Sequence, residues 1–492
     1  MDHPLHDIIK DTWAKNTISN VVFSSATLPK KNELDNVVNS FTNKFTNAMV
    51  FDITSHDSKK NVPLINRNGM VMMPHYMCKT RAELHQMSDF CLQNLTMLRY
   101  LDLGEIVQFI QYLNANVQWV CPIELLPTQV FDSFDKITMS SIKTYYLHLL
   151  KTIDELVWTP MYIDLLHKRV SRIPINGSIT ASGIDIIKHR LSVSPKEVSA
   201  AQLNPGVYAT TKDAFSLTNG PTIYVTDNIA TIAKFYIQQA NIPRNVMSLI
   251  MEKIQYNNEI NSKIEVLAVQ LETEMDKCSA GSNTLKCANK VNRESSDDDT
   301  GSAGKVQLGK LTSEIKALSA MIKTTILNET FIPNKPSHKE TWAKYVDETI
   351  TNSSFTSDID EHTIGEIMLL TGVDDSWKIL LMMGIGVFTN HNSVPYTEIM
   401  KKLADSQSLF MIIASSDYIY GTNYQFCHIN IGKDMNPSQE KLIQILGRVG
   451  RRNVQHPYTI RFRNDDIVQK MFTLDINKPE AINMNKLMEL NN

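Results

Sequence analysis

Nine consecutive residues near the C-terminus, Gln444-Ile445-Leu446-Gly447-Arg448-Val449-Gly450-Arg451-Arg452, hold the strongest chemical signal in the chain. Read as a helix, Arg448 and Arg451 stand three residues apart on one face, so both can reach one phosphate group. A guanidinium is a permanent cation that binds phosphate oxygens bidentately, which suits a γ-phosphoryl group in transfer. Gly447 and Gly450 remove side chains where a backbone must pass close to another surface. An ordinary basic helix has no need of the Q-x-x-G-R-x-G-R spacing. Phosphoryl transfer also requires a P-loop to cradle the phosphates and an acidic residue for Mg²⁺. No G-x-x-x-x-G-K-(S/T) occurs here. The nearest approach, Gly301-Ser302-Ala303-Gly304-Lys305-Val306, lies in an acidic, aliphatic-poor stretch and is a false positive. The pairs Asp154-Glu155 and Asp347-Glu348 imitate a DE box in helical context and read as solvated faces.

The elements that must position these groups alternate in type. Apolar runs at Ile223-Tyr224-Val225, Leu409-Phe410-Met411-Ile412-Ile413-Ala414 and His428-Ile429-Asn430-Ile431 read as buried parallel strands. Val21-Val22-Phe23 and Met49-Val50-Phe51-Asp52-Ile53 read as further strands. Residues 80–172 switch to helical periodicity, with Leu92, Leu95, Leu98 and Leu101 on one face and Leu147, Leu150 and Ile153 on another. Between the β/α stretches, Ile250, Ile254, Ile264, Leu271 and Met275 keep 3-4 spacing, as do Leu308, Leu311, Ile315, Leu318 and Ile322. Residues 246–275 and 307–326 are therefore expected to pair as an antiparallel helical hairpin. Residues 277–305 should be its disordered acidic tip, and Asn257 and Asn261 should weaken its seam in favour of a chosen register. The expected fold class is α/β, a parallel-sheet domain with an all-α block and a helical hairpin inserted.

With these elements in place the sequence resembles the superfamily 2 helicases, the Ski-like branch more closely than the DEAD-box one. In that family Q-x-x-G-R-x-G-R is motif VI, whose arginines reach across an interdomain cleft to ATP. Ala414-Ser415-Ser416-Asp417-Tyr418-Ile419-Tyr420-Gly421-Thr422-Asn423 looks like motif V, and Ser25-Ala26-Thr27 looks like motif III, which links nucleotide state to strand separation. Residues 222–243 resemble motif IV. Gly384-Ile385-Gly386-Val387-Phe388 resembles the segment placed before motif V, but Phe388-Thr389-Asn390-His391 stands where the family has a His pair. The resemblance covers residues 20–29, 222–243 and 377–472. It implies RecA-like folding, and ATP and Mg²⁺ as cofactors once a first RecA-like domain is supplied. It implies catalytic roles for Arg448, Arg451 and Gln444. ATP binding falls to Asp417, Gly421, Asn423, Gly447 and Gly450, coupling to Ser25, Ala26 and Thr27, and nucleic-acid binding to Thr226, Gly386 and Ser416. Asp417, Gly421 and Asn423 are expected at the carboxyl ends of strands, on one rim with Arg448.

The implied organisation is a remnant of the first RecA-like domain at 1–60 and a mainly helical module at 61–215. The start of the second RecA-like domain follows at 216–245, the hairpin insertion at 246–350, and the rest of the domain with a short tail at 351–492. On this reading the chain begins just after the place of motif II. It is the C-terminal part of an ATP-dependent helicase, inactive as an ATPase alone. A degenerate remnant that holds nucleic acid without ATPase chemistry, or an interaction scaffold, is the alternative. The implied partners are a single strand of RNA or DNA, a separate chain or upstream segment carrying the P-loop, and a protein at the hairpin.

Composition bounds these readings. Over 492 residues, Lys plus Arg number 49 and Asp plus Glu 52, so the net charge is −3 and any nucleic-acid contact must come from a local basic strip. The six cysteines form no CxxC, and Cys278 and Cys287 lack two further ligands nearby, so no metal site is expected. No secretory signal or membrane-spanning run is visible, so the expected setting is intracellular and soluble, cytoplasmic or nuclear. The Asn-, Ile- and Met-rich texture points to an AT-rich genome such as that of a large DNA virus.

Overall fold

Six short runs form strands: β1 (Leu64–Ile65), β2 (Thr222–Val225), β3 (Ile385–Phe388), β4 (Met411–Ala414), β5 (His428–Ile431) and β6 (Thr459–Phe462). In this computed structural model they make one all-parallel sheet in the order β1-β6-β5-β2-β4-β3. The structure describes residues 4–25, 28–54, 56, 60–116, 118–170, 219–240, 242–288, 300–335, 354–389, 393–417, 424–450, 457–473 and 478–488, with the side chains of 4, 239, 277–288 and 300–306 excepted. Every residue of β2, β4 and β5 is buried, as parallel strands covered on both faces require. Register sets Tyr224 of β2 opposite Asn430 of β5, and Asn430 opposite Arg461 of β6. With period two, these three side chains share a face of the sheet. The chain leaves β2 for β3 on one side of the sheet and leaves β5 for β6 on the other. The topological switch therefore falls between β2 and β5.

The chain divides into two compact units. One comprises Met1–Ile179, Ile184–Asn228 and Ala414–Asn492, the other Thr180–Gly183 and Ile229–Ile413. In the first unit β1, within the span expected to be mainly helical, pairs with β6 through Leu64↔Ile460 and Ile65↔Arg461. Likewise Leu34 and Val37 pack with Met488, tying residues of the expected 1–60 remnant to the C-terminal helix Pro479–Leu487.

In the first unit the helices Arg81–Gln93, Leu103–Ala115, Met139–Lys151 and Glu155–Lys168 form the expected helical block. Thr80 starts the first of them, accepting from the Glu83 N–H while the Glu83 carboxylate accepts from the Thr80 N–H. The leucine run 92–101 is not one helix, because the α-helix stops at Gln93 and a 3₁₀ turn, Leu95–Tyr100, follows. Val21-Val22-Phe23 and residues 49–53 form no strand. A strand needs a partner for its backbone and cover for one face, and Val22, Met49, Phe51 and Ile53 all stand exposed.

The second unit holds the hairpin, built from helices Arg244–Ala288 and Thr300–Ala320. Both run further toward the tip than expected, so much of 277–305 is helix; residues 289–299 lie outside the described residues. The return helix ends at Ala320, short of the expected 326. Ile250, Ile254, Asn257 and Ile260 are buried, whereas no residue from 261 to 276 is. Over that outer part only a half-buried seam remains, including Ile264 and Leu271, and Leu308, Leu311, Ile315 and Leu318 provide its counterpart. Among the described residues no helix is long and apolar enough to cross a membrane.

Candidate functional site

The Gln444–Gly450 segment takes its shape from a helix that stops early. Helix Gln439–Leu446 starts at Ser438, whose hydroxyl accepts from the Lys441 N–H at 3.2 Å, and buries Leu442, Ile445 and Leu446. Gln439 anchors it by donating from Nε2 to the carbonyls of Lys470, Met471 and Thr473. Gly447 closes the helix, and Gly450, at φ +65°, turns the chain beside the Tyr458 ring. A β-carbon at 450 would be strained by that φ and would meet the ring at 3.3 Å. Arg448 therefore sits in a turn beyond the helix, buried to 8% exposure, and the expectation of two arginines on one helical face does not hold. Arg451 lies outside the described residues.

The turn packs beside the residues entering β5. Val449 bridges to Phe426 in parallel, and the Gly450 N–H donates to the Phe426 carbonyl at 3.0 Å. Phe426 precedes β5, so this is the amino end of the strand. Asp417 instead follows the carboxyl end of β4, and its carboxylate pairs with Lys441 at 2.9 Å. Asp417 and Arg448 thus flank opposite rims, which corrects the shared-rim expectation. Its reason is the helix Gln439–Leu446, which carries the chain back across the sheet before Arg448 is reached. Gly421 and Asn423 lie outside the described residues.

Two cations reach the turn, Lys60 from the segment leading into β1 and Arg99 from the 3₁₀ turn of the helical block. Lys60 Nζ donates to the Gly450 carbonyl and Arg99 donates from its guanidinium to the Val449 carbonyl. Lys143, fully buried, donates from Nζ to the Lys60 carbonyl at 3.0 Å and to the Leu98 carbonyl at 2.7 Å, fixing the backbone that carries both. No sequence signal pointed to these residues, because Lys60 and Gly450 are 390 positions apart and Arg99 and Val449 350.

The carboxyl rim at the switch point is organised by Asp434. Thr226 Oγ1 donates to both of its carboxylate oxygens, at 3.1 and 2.9 Å. The Asp227 and Asn228 N–H groups add bonds of 2.9 and 2.8 Å. Gly432 permits this fold-back, since a β-carbon there would lie 2.5 Å from Asp434 Oδ1 and 2.9 Å from the Val225 carbonyl. Burial raises the Asp227 carboxyl above its usual range; Asp434 and Asp417 push the same way and Lys441 opposes them. After β6, burial pushes the Arg463 guanidinium down to about 9.

The three residues expected to touch nucleic acid have other surroundings. Thr226 is buried against Asp434, Ser416 is buried, and Gly386 lies inside β3, where a β-carbon would meet Met400 at 2.9 Å. Ser25 is exposed, and Ala26 and Thr27 lie outside the described residues. Among the described residues no group of three His, Cys, Asp or Glu side chains is placed to hold a metal ion.

No model of a known protein family matches this chain, and no curated protein matches its sequence.

Proposed function

We propose that this chain is the C-terminal part of an ATP-dependent nucleic-acid helicase, with its parallel sheet as a RecA-like core. The carrying observation is the Gln444-x-x-Gly447-Arg448-x-Gly450-Arg451 pattern, set at a helix end beside a parallel sheet and braced by Lys60 and Arg99. Arg448 and Arg451 act as arginine fingers toward the γ-phosphate, with Gln444 beside them and the two glycines shaping the turn. ATP and Mg²⁺ are held mainly by a P-loop and acidic residue on another RecA-like domain. The strand moved is single-stranded RNA or DNA. A protein-docking role for the hairpin is a second reading, favoured by the half-buried outer part of its helices.

The test has two arms. Purified residues 1–492 should show no ATP turnover stimulated by nucleic acid. Supplied with a P-loop-bearing domain, the assembly should turn over ATP, and Arg448→Ala and Arg451→Ala should each lower kcat by ~10³-fold while sparing oligonucleotide affinity. Robust turnover by the chain alone, abolished by Arg451→Ala, would defeat this reading. So would a loss of nucleic-acid affinity with turnover intact.

A further inference from the structure

We propose that the outer face of helix Glu155–Lys168 is a self-association surface, on which a second copy of this chain packs the same helix antiparallel about a two-fold axis at Ile163. The proposal is independent of the helicase reading, since it uses none of the residues 444–451. The helix buries Trp158, Met161 and Leu165 on its inner side. At about 100° per residue, Leu156, Thr159, Pro160, Ile163, Leu166 and His167 fall within about 60° of Ile163 on the opposite side. All six are exposed, Leu156 to 90% and Ile163 to 53%, and Val170 continues the stripe past the helix end at 79%. None of these residues carries a permanent charge. Neighbouring helices of the same block behave differently. Arg81–Gln93 turns Glu83, Gln86 and Gln93 to solvent, and Leu103–Ala115 turns Gln108, Gln111 and Asn114 beside a lone Val107. Single exposed apolar side chains are ordinary on a protein surface. A helix apolar on both sides is not, and it calls for cover on both.

The stripe is complementary to itself. A two-fold interface uses the same patch on both subunits, so the patch must match its own reversal. Reversed about Ile163, the middle of the stripe, Pro160 meets Leu166, Ile163 meets its own copy, and Leu156 lies toward Val170. Thr159 meets His167, a hydroxyl and an imidazole that can share a hydrogen bond. The ends agree in charge. Asp154 and Glu155 open the helix and His167 and Lys168 lie in its last turn, so antiparallel pairing sets the acidic end of one copy beside the basic end of the other. The helix dipoles favour the same direction. Lys168 already pairs with Asp164 at 2.7 Å, so the charged ends select the direction more than they add affinity. The helix has 14 residues and is about 21 Å long, and interfaces below about 1,200 Å² belong to the weak class. Association should therefore be reversible and concentration-dependent.

Sedimentation equilibrium of the full chain over a range of concentrations should show the mass rising from 55.8 kDa toward twice that value. Ile163→Lys and Ile163→Glu each place two like charges on the axis, and each should weaken self-association by ~100-fold or more. An equimolar mixture of the two variants should associate again, because opposite charges then meet at the axis. If either fails to fold, Leu156→Glu, at a 90% exposed position, takes its place and should weaken association in the same direction. A single 55.8 kDa species up to about 100 µM would overturn the proposal. In such a monomer, hydroxyl-radical footprinting that finds Leu156 and Ile163 protected would give the face to the chain's own residues. Protection gained only on adding another protein would give it to a different partner, and both outcomes sink self-association. So does a dimer that the separate variants leave intact, or a mixture of the two that stays apart.

Discussion

At the carboxyl ends of β2 and β5, a hydroxyl and two backbone N–H groups converge on the single carboxylate of Asp434. At the amino end of β5, two cations converge on consecutive carbonyls of the Arg448 turn. The first arrangement satisfies donors with an internal anion, and with Asp227 and Asp417 nearby it presents negative charge to a ligand. The second satisfies consecutive backbone carbonyls with the side-chain donors of Lys60 and Arg99. Open α/β sheets usually bind ligands outside the carboxyl ends of their strands, at the switch point. Here that place is filled by the protein's own carboxylate, and the Arg448 turn stands at the opposite rim. The general rule describes a site built by one sheet alone. On the helicase reading proposed above, Arg448 serves a site completed by another domain and is under no such constraint.

The sharpest way to break this comparison is at the support of the amino rim. Replacing Lys143 by Met keeps the volume but removes two charge-assisted hydrogen bonds, leaving the Leu98 and Lys60 carbonyls without them. Such bonds contribute about 1.5 to 3 kcal/mol each, so Lys143→Met should destabilise the protein by ~3 kcal/mol in urea unfolding. A loss below ~1 kcal/mol would mean that Lys143 does not hold the rim. Asp434→Ala acts on the other rim and should cost ~2 kcal/mol, because a hydroxyl and two N–H groups lose their shared acceptor. Oligonucleotide affinity should not fall in that variant, since it removes negative charge. A marked fall would move the ligand to the carboxyl rim.

Much of this contrast could not be read from the chain. β2, β4 and β5 were legible because buried parallel strands leave apolar runs, and the hairpin because its seam keeps heptad spacing. The Gln444–Arg451 spacing was legible as a pattern but its geometry was not. Helical periodicity through 448 concealed that Gly447 ends the helix and Gly450 needs a positive φ. The register role expected of Asn257 is seen in the fold, where it is fully buried, donates to the Lys323 carbonyl at 2.7 Å and accepts from the Lys323 N–H at 2.9 Å, pinning the hairpin base. Lys60, Arg99, Lys143 and Asp434 were missed for a common reason. Their partners are backbone groups, which every residue carries, and the contacts of Lys60, Arg99 and Asp434 close loops of 200 residues or more.

The regions behind the two rims should also answer acid with opposite signs. His75, packed against the helical block that carries Arg99, is fully buried against Tyr146, and burial foremost, then Arg169, lowers its proton affinity well below the ordinary value of 6.5. The unfolded chain takes up a proton at this residue below pH 6.5 that the folded chain refuses. Stability is therefore fully present above 6.5 and is lost as pH falls through it, by about 1.4 kcal/mol per pH unit. Asp227 behaves oppositely, because its carboxyl is raised above 3.8, so its unfavourable ionisation is relieved as pH falls through the raised value. Hydrogen exchange at pH 7.5 and 5.5 should show backbone protection falling in helices Arg81–Gln93 and Met139–Lys151. Unchanged protection there would show that His75 accepts its proton without strain.

The smallest expected effect sharpens the meaning of Asp417. Its ion pair with Lys441 is short, 2.9 Å, but the carboxylate is 75% exposed and the ammonium 32%. Exposed pairs of this kind contribute about 0 to 1 kcal/mol, because the attraction is screened and two side chains must be held in one geometry. Asp417→Asn should therefore change stability by less than ~0.5 kcal/mol, and less still at high salt. Removing the charge also relieves part of the repulsion on Asp227, so any loss should be partly offset. The near-neutral stability makes the substitution a clean probe of function. If Asp417 takes part in ATP binding, as the helicase reading assigns it, turnover by the completed assembly should fall well beyond what that small change explains. If stability and turnover both stay level, the carboxyl rim has no part in the phosphate chemistry and the ATP-facing work belongs to the Arg448 side alone.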